Sequence, residues 1–402
     1  MIRPRSRTPG PWAVVGVSII ALGAATFAIV AIGTLAPKLQ AALGFSRAEI
    51  GVLTSLIFVG SVFTSRLGGR LTDSFGPARV LGFSLAAFAA TMGLAAAAPN
   101  AALFMAAIFL AGLLYGGVNP PTNVVVAGRL QRRRLGFFLS LKQSGVPIGG
   151  LLAGAVLPPI AVAFGWRIAF VVGVAACFAA AATTPLLRGA TVLRAEGGHA
   201  DSPLGRRQLA GLGAFGFVMA GTQWTFLTYL SLYLTERLNF SLSLAGLALV
   251  VAQGVGAGAR LVWGWASDAS GRRILVLLVM TGAQLAALEL LAGNPGRTAV
   301  WPLVALAGFT IVGWNGAYYA LLAEQVGPAR VGRASGDVLV FIFAGSVVLP
   351  PLYGVLVDSA GAWRPMWAVA GGVVGLAGLI LWAGLRETGL AHSLATNPEG
   401  AP

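Results

Sequence analysis

A chain of 402 residues that is 57% hydrophobic and only 10% charged cannot clothe a soluble domain, which carries about 25% charged residues. The net charge of +15 would suit a nucleic-acid partner, but by the span placement below 18 of the 27 Lys and Arg fall on one side of a membrane and six on the other. That asymmetry is the positive-inside rule; it argues against nucleic acid and puts both termini in the cytosol.

In chain order, a basic N-terminus (Arg3, Arg5, Arg7) leads into an apolar run from Trp12 to Ala36. The run is too long for the core of a signal peptide and reads as a first span. Further runs of lipid length follow near 48–70, 78–98, 101–128, 136–163, 166–187, 208–235, 241–266, 273–293, 299–326, 332–357 and 363–386, twelve spans in all. Prolines inside the fourth, fifth and eleventh spans (Pro120-Pro121, Pro147, Pro158-Pro159, Pro350-Pro351) are expected to bend them. Arg132-Arg133-Arg134, between spans four and five, reads as a topology signal touching anionic lipid. Only one connection is long and polar: 188–207, with Glu196, His199, Asp201 and Pro203, reads as a flexible cytosolic linker joining six-helix halves at 1–187 and 208–402. Gly254-x-Gly256-x-Gly258 follows no strand and lies in mid-span, so packing, not nucleotide binding, accounts for it. Glycine, 56 residues or about 14% against a usual ~7%, suits close helix approach in lipid. The lone Cys177 and two distant histidines, His199 and His392, leave no disulfide, Cys/His catalytic pair or metal cluster to assemble.

The halves are duplicates. Gly69-Arg70-Leu71-Thr72-Asp73-Ser74-Phe75-Gly76-Pro77-Ala78 returns as Gly264-Trp265-Ala266-Ser267-Asp268-Ala269-Ser270-Gly271-Arg272-Arg273, with Gly, Asp and Gly at the same spacing. Phe45-Ser46 and Phe240-Ser241 match, as do Gly165-Trp166-Arg167 and Ala362-Trp363-Arg364. The repeated turn resembles the signature loop G-x-L-x-D-x-x-G-R-[KR] of the major facilitator superfamily. The resemblance covers nearly the whole chain. It implies an all-α membrane protein of twelve transmembrane helices in two pseudo-symmetric six-helix bundles, a transporter and not an enzyme, without cofactor or metal. It also implies a cytosolic gate: Gly69, Asp73, Gly76, Gly264, Asp268 and Gly271 form its turns. Asp73 would meet the start of span eleven and Asp268 that of span five, where a carboxylate gains from the helix dipole. Arg66 is expected to pair with Asp337, since spans two and eleven are neighbours in that family.

Charge within a span is the most informative chemical signal, because an Arg, Lys or Asp at a helix centre costs ~2.5–3.5 kcal/mol on insertion scales. Arg66, Lys142, Arg260 and Asp337 fall inside the spans. Long side chains at such depths can also snorkel to the headgroups. Arg260 through Asp268 resembles the eighth-helix Arg-x-x-x-Gly segment of monocarboxylate and oxalate–formate carriers, in which the arginine is thought to bind the carboxylate. Ser140 through Gly150, with Lys142, is similar to the fifth helix of bacterial organic-anion carriers. In that family spans five and eight are adjacent, which would bring Lys142 and Arg260 together, two cations that a bound anion would relieve. Asn119, Asn123, Gln223, Gln253 and Asn315 are candidate hydrogen-bonding groups for the ligand, and Trp224, Trp314, Tyr318 and Tyr319 candidate apolar walls.

Two departures matter. The fourth-helix arginine of many proton-coupled members is missing (Ala111-Gly112-Leu113-Leu114-Tyr115-Gly116), and the fifth-helix antiporter signature is only half present around Gly136 and Gly145. Candidate proton-carrying acids are few: Asp337, Glu289 and Glu324. The expectation is a secondary carrier of the inner membrane for a small organic anion, a mono- or dicarboxylate, moved by symport or antiport with a proton or counter-anion. It would be a monomer touching only substrate, coupling ion and lipid. A multidrug or metabolite efflux carrier and a non-transporting receptor are the alternatives.

Overall fold

In hydrocarbon every backbone N–H and C=O must be satisfied within its own segment, which leaves long apolar runs only the helix. The computed structural model describes residues 10–129, 138, 141–189, 204–326 and 331–386, and these are helical apart from short turns. Arg3, Arg5 and Arg7, the Arg132–Arg134 run, most of the 188–207 linker and the tail with His392 lie outside the described residues.

The helices are α1 (Pro11–Thr34), α2 (Ala36–Leu43), α3 (Arg47–Phe75), α4 (Pro77–Ala97), α5 (Ala101–Tyr115) and α6 (Asn119–Arg129). They continue with α7 (Gly145–Phe164), α8 (Trp166–Thr183), α9 (Arg206–Leu238), α10 (Leu242–Ser270) and α11 (Arg273–Ala292). The last four are α12 (Val300–Ala307), α13 (Asn315–Val326), α14 (Val331–Ala360) and α15 (Arg364–Arg386). Among the described residues, eleven segments are long and apolar enough to cross a membrane, with α5–α6 and α12–α13 each counting as one. The remaining span is α9, 33 residues long, which carries the buried polar residues Thr222, Gln223, Thr225, Thr228 and Ser231. The architecture is that of twelve spans in two six-helix bundles.

The repeated marks in the sequence turn out to be helix starts and turns. Ser46 caps α3 in a reciprocal box, Glu49 N–H to Ser46 Oγ at 3.1 Å and Ser46 N–H to the Glu49 carboxylate at 2.8 Å. Its counterpart Ser241 accepts from Leu244 N–H at 3.2 Å at the head of α10. Gly76 and Gly271, which close the two copies of the signature turn, have φ of +83° and +61°, a region any Cβ disfavours.

Two spans, the fourth and the tenth, differ from the continuous helices expected, and the first is continuous as expected but followed by a short extra helix. The first ends at Thr34 and Ala36 opens the separate α2, with Pro37 in its first turn. The fourth stops at Tyr115, turns through Gly116–Val118 and restarts at Asn119, so Pro120 and Pro121 do not bend a helix interior. They occupy the first turn of α6, where a missing N–H leaves no bond unmade. The tenth passes from α12 into a π-helical turn, Gly308–Val312, and a second turn before α13.

Two compact units emerge from the packing: residues 1–198 with 227–253, and residues 199–226 with 254–402. Within the first, α1 lies along α7 and α8, α3 against α5, and α4 against α5 and α8. Within the second, α11 packs on α13 and α15, and α14 on α13 and α15.

Candidate functional site

In the first unit Lys142 is 1% exposed, in the helical turn just before α7. Its ammonium donates to Thr122 Oγ1 at 2.9 Å and, in a short contact, to Asn123 Oδ1. Thr122 in turn donates to the Asn119 carbonyl at 2.7 Å. The restart of span four makes this possible: the break at 116–118 lets the first turn of α6 present Asn119, Thr122 and Asn123 together. Asn123 is exposed where Lys142 is not, so Asn123 forms the accessible tip of the cluster. Lys142 makes no ion pair among the described residues. Gln253, also 1% exposed, lies over Gly150 so closely that a Cβ there would collide with its amide, and neither amide atom has a partner among the described residues.

The second unit holds Arg260, half-buried on α10. Its Nε donates to the Val312 carbonyl at 3.1 Å, and one turn on, Trp263 Nε1 donates to the Phe309 carbonyl at 2.9 Å. Both carbonyls belong to the π-helical turn. Such a turn leaves carbonyls without their α-helical partners, and side chains from a neighbouring span fill them. The Trp263 and Phe309 rings meet with centroids 5.0 Å apart. Beside this, Trp314 Nε1 donates to Gln223 Oε1 at 2.8 Å, and Tyr318 OH to the Leu212 carbonyl at 3.0 Å. Trp314 and Tyr318 are 1% and 0% exposed. These two bonds, Trp314 to Gln223 and Tyr318 to the Leu212 carbonyl, tie span ten to span seven. Asn315 is half-buried at the head of α13.

Of the gating residues, Asp73 and Asp268 are exposed. Asp268 takes Arg273 of its own turn at 3.3 Å, and Arg273 also reaches Glu324 at 3.2 Å and the Ala320 carbonyl. Gly69 and Gly264 face open space. Asp337 is half-buried on α14; the Arg66 side chain, and so its expected pairing with Asp337, lies outside the described residues.

Three features were not expected from the sequence. Thr122 completes the Lys142 cluster, and its Asn-Pro-Pro-Thr-Asn setting could have announced a helix restart. At the start of α3, Arg47 Nε and Nη2 clasp Glu236 Oε2 at 3.0 and 2.8 Å, and Tyr229 OH donates to the Arg47 carbonyl at 2.7 Å. Deeper, Thr54 and Thr228 share a buried hydrogen bond of 2.8 Å.

Twelve spans, interrupted helices and cations held inside the apolar zone define a multi-pass membrane transporter, a carrier and not an enzyme. The chain belongs to the Major Facilitator Superfamily, whose sequence profile matches residues 17–336 and 212–402. An uncharacterised MFS-type transporter of Mycobacterium tuberculosis is 27% identical to it over 369 residues, 90% of this chain and 82% of the relative. A gentisate transporter of Corynebacterium glutamicum is 30% identical over 369 residues, 84% of this chain and 78% of that one. A point mutant of the nucleoside transporter NupG superposes with a TM-score of 0.76 at 14% identity, covering 93% of this chain and 99% of that one, a likeness of fold alone.

Proposed function

We propose that the protein carries a small organic anion, a mono- or dicarboxylate, across the inner membrane by alternating access. Both termini and the 188–207 linker are cytosolic in this reading, and the halves 1–187 and 208–402 are the rocking bodies. The observation that carries it is the pair of broken helices. Spans four and ten hold matching places in the two halves, and each lends oxygens at its break to a cation on a neighbouring span: Thr122 and Asn123 to Lys142, Val312 to Arg260. Interruptions at corresponding positions of a duplicated transporter point to its binding site. The cations make that site one for an anion. Arg260 offers a planar fork suited to a carboxylate. Lys142, covered by Asn123, contributes positive potential more than direct contact. A relative that transports gentisate, itself a carboxylate, agrees with the class.

The signature turns, with Asp73, Asp268, Arg66 and Asp337, are assigned to the cytosolic gate. The Arg47–Glu236 clasp and the Thr54–Thr228 bond are contacts from one half to the other that must part for the outer side to open.

Uptake and counterflow in proteoliposomes, with a panel of small carboxylates including gentisate and with or without a pH gradient, test substrate class and coupling together. Exchange of none of them would remove the anion proposal and leave the fold standing. Accessibility tags at the linker and at Asn100 should report opposite membrane faces; the same face for both would end the proposed topology.

A further inference from the structure

Within the second unit, the basic end of α9 and the middle of α14 enclose an open groove of about 380 Å³. Leu209, Ala214, Phe217 and Val218 form one wall, Phe341 the other, and Arg206 stands at the mouth. The α9 residues recur at helical spacing on one face. Gly213 lets the aromatic ring close in: a Cβ there would sit 2.8 Å from Phe341 Cγ. We propose that this groove binds one acyl chain of an anionic phospholipid of the cytosolic leaflet, with Arg206 on the headgroup.

Four features of the groove support it. Apart from Arg206 the lining is wholly apolar, so nothing in it would orient a polar solute. Phe341 also continues a stripe on α14 with Val348, Leu352 and Val355, at offsets of 7, 11 and 14 residues, all between 36% and 57% exposed. An apolar, uncovered helix stripe offers an acyl chain a surface to lie along. From Arg206 to Val218 the helix rises about 18 Å at 1.5 Å per residue, and one leaflet's share of a ~30 Å hydrocarbon core is about 15 Å. The groove is therefore as deep as a leaflet, with its single cation at the headgroup end. Arg206 is exposed and makes no hydrogen bond or ion pair with a described residue, and a basic side chain at that level draws anionic headgroups.

The leaflet rests on the orientation proposed above; the preference for an anionic lipid does not. Thermal unfolding of the full-length protein in detergent, with phosphatidylglycerol or phosphatidylcholine of the same chains added, reads that preference without any need for transport. Phosphatidylglycerol should stabilise at about fivefold lower concentration than phosphatidylcholine, the size of one near-surface arginine. Arg206→Gln should erase the difference between the lipids, and Ala214→Trp, which fills the groove, should remove both effects. Affinity for a transported carboxylate should be the same in both variants. An undiminished phosphatidylglycerol preference in Arg206→Gln overturns the proposal. So does Ala214→Trp weakening carboxylate binding while lipid stabilisation persists, because the groove would then belong to the substrate's path. Should Ala214→Trp not fold, native mass spectrometry decides: Arg206→Gln should retain less co-purified phosphatidylglycerol than wild type, and equal retention refutes the site. A tag placing Arg206 on the outer face would undo the orientation, and with it the leaflet, independently of the lipid preference.

Discussion

Lys142 and Arg260 are both cations inside apolar spans, and they are accommodated in opposite ways. Lys142 is sealed at 1% exposure and satisfied by side-chain oxygens from the restarted span four. Arg260 is half-buried, and its Nε donates to a backbone carbonyl of the interrupted span ten. A side-chain cage can be altered by mutation; a carbonyl cannot. The ammonium is a point charge that any set of oxygens can hold, whereas the guanidinium is tethered through Nε in a way that fixes its plane. The contrast teaches that a broken helix stabilises an embedded charge either by what its restart displays or by what its broken ladder exposes. Only the second also orients the charge.

If that contrast is right, the largest loss should follow Arg260→Ala. A charge-assisted hydrogen bond contributes ~1.5–3 kcal/mol, so binding of a transported carboxylate should weaken about tenfold to a hundredfold by equilibrium titration. Unchanged affinity would dissolve the distinction between the two cations. Arg260→Lys should recover little, since a lysine cannot hold the Val312 carbonyl and present a fork at once. Lys142→Gln comes next. It keeps a donor for Thr122 and removes only the charge, so the loss should stay below about tenfold, or ~1.4 kcal/mol; a loss matching that of Arg260→Ala would show that Lys142 touches the ligand. Gln223→Leu should leave carboxylate affinity unchanged while lowering stability by about 1–3 kcal/mol, the cost of an orphaned buried donor at Trp314. Reduced affinity at unchanged stability in a denaturation series would move Gln223 from scaffold to site. The smallest effect belongs to the outer clasp. The Arg47 and Glu236 side chains are 32% and 27% exposed, and an ion pair that wet contributes ~0.2–1 kcal/mol. Glu236→Gln should therefore bias accessibility of outer-facing probes only a few-fold, and more strongly at low salt.

The fold was legible because lipid imposes its own grammar: runs near twenty residues, glycine at turns that need positive φ, and Phe-Ser pairs that prove to be caps at Ser46 and Ser241. The embedded cations were legible because each stands out against an apolar run. What held them was not. The Val312 carbonyl has no signature, since every residue has one, and the tenth-span break contains no proline to announce it. Pro120 and Pro121 did announce a break, yet its consequence, a helix restart that displays Thr122, depends on where the next turn begins. Gln223 and Trp314 were each readable as ligand groups, and only three-dimensional proximity reveals that they satisfy each other.

The π-helical turn at Gly308–Val312 also sets the phase of everything after it. A π turn holds one residue more than an α turn, and one residue in an α-helix is worth about 100° of rotation. Deleting a single codon there would leave a span still long enough to cross the bilayer. Its second half would be turned by more than a quarter revolution, swinging Trp314 off Gln223 and Tyr318 off the Leu212 carbonyl. The surplus residue acts as a keyway: length is negotiable in this span, and rotational phase is not.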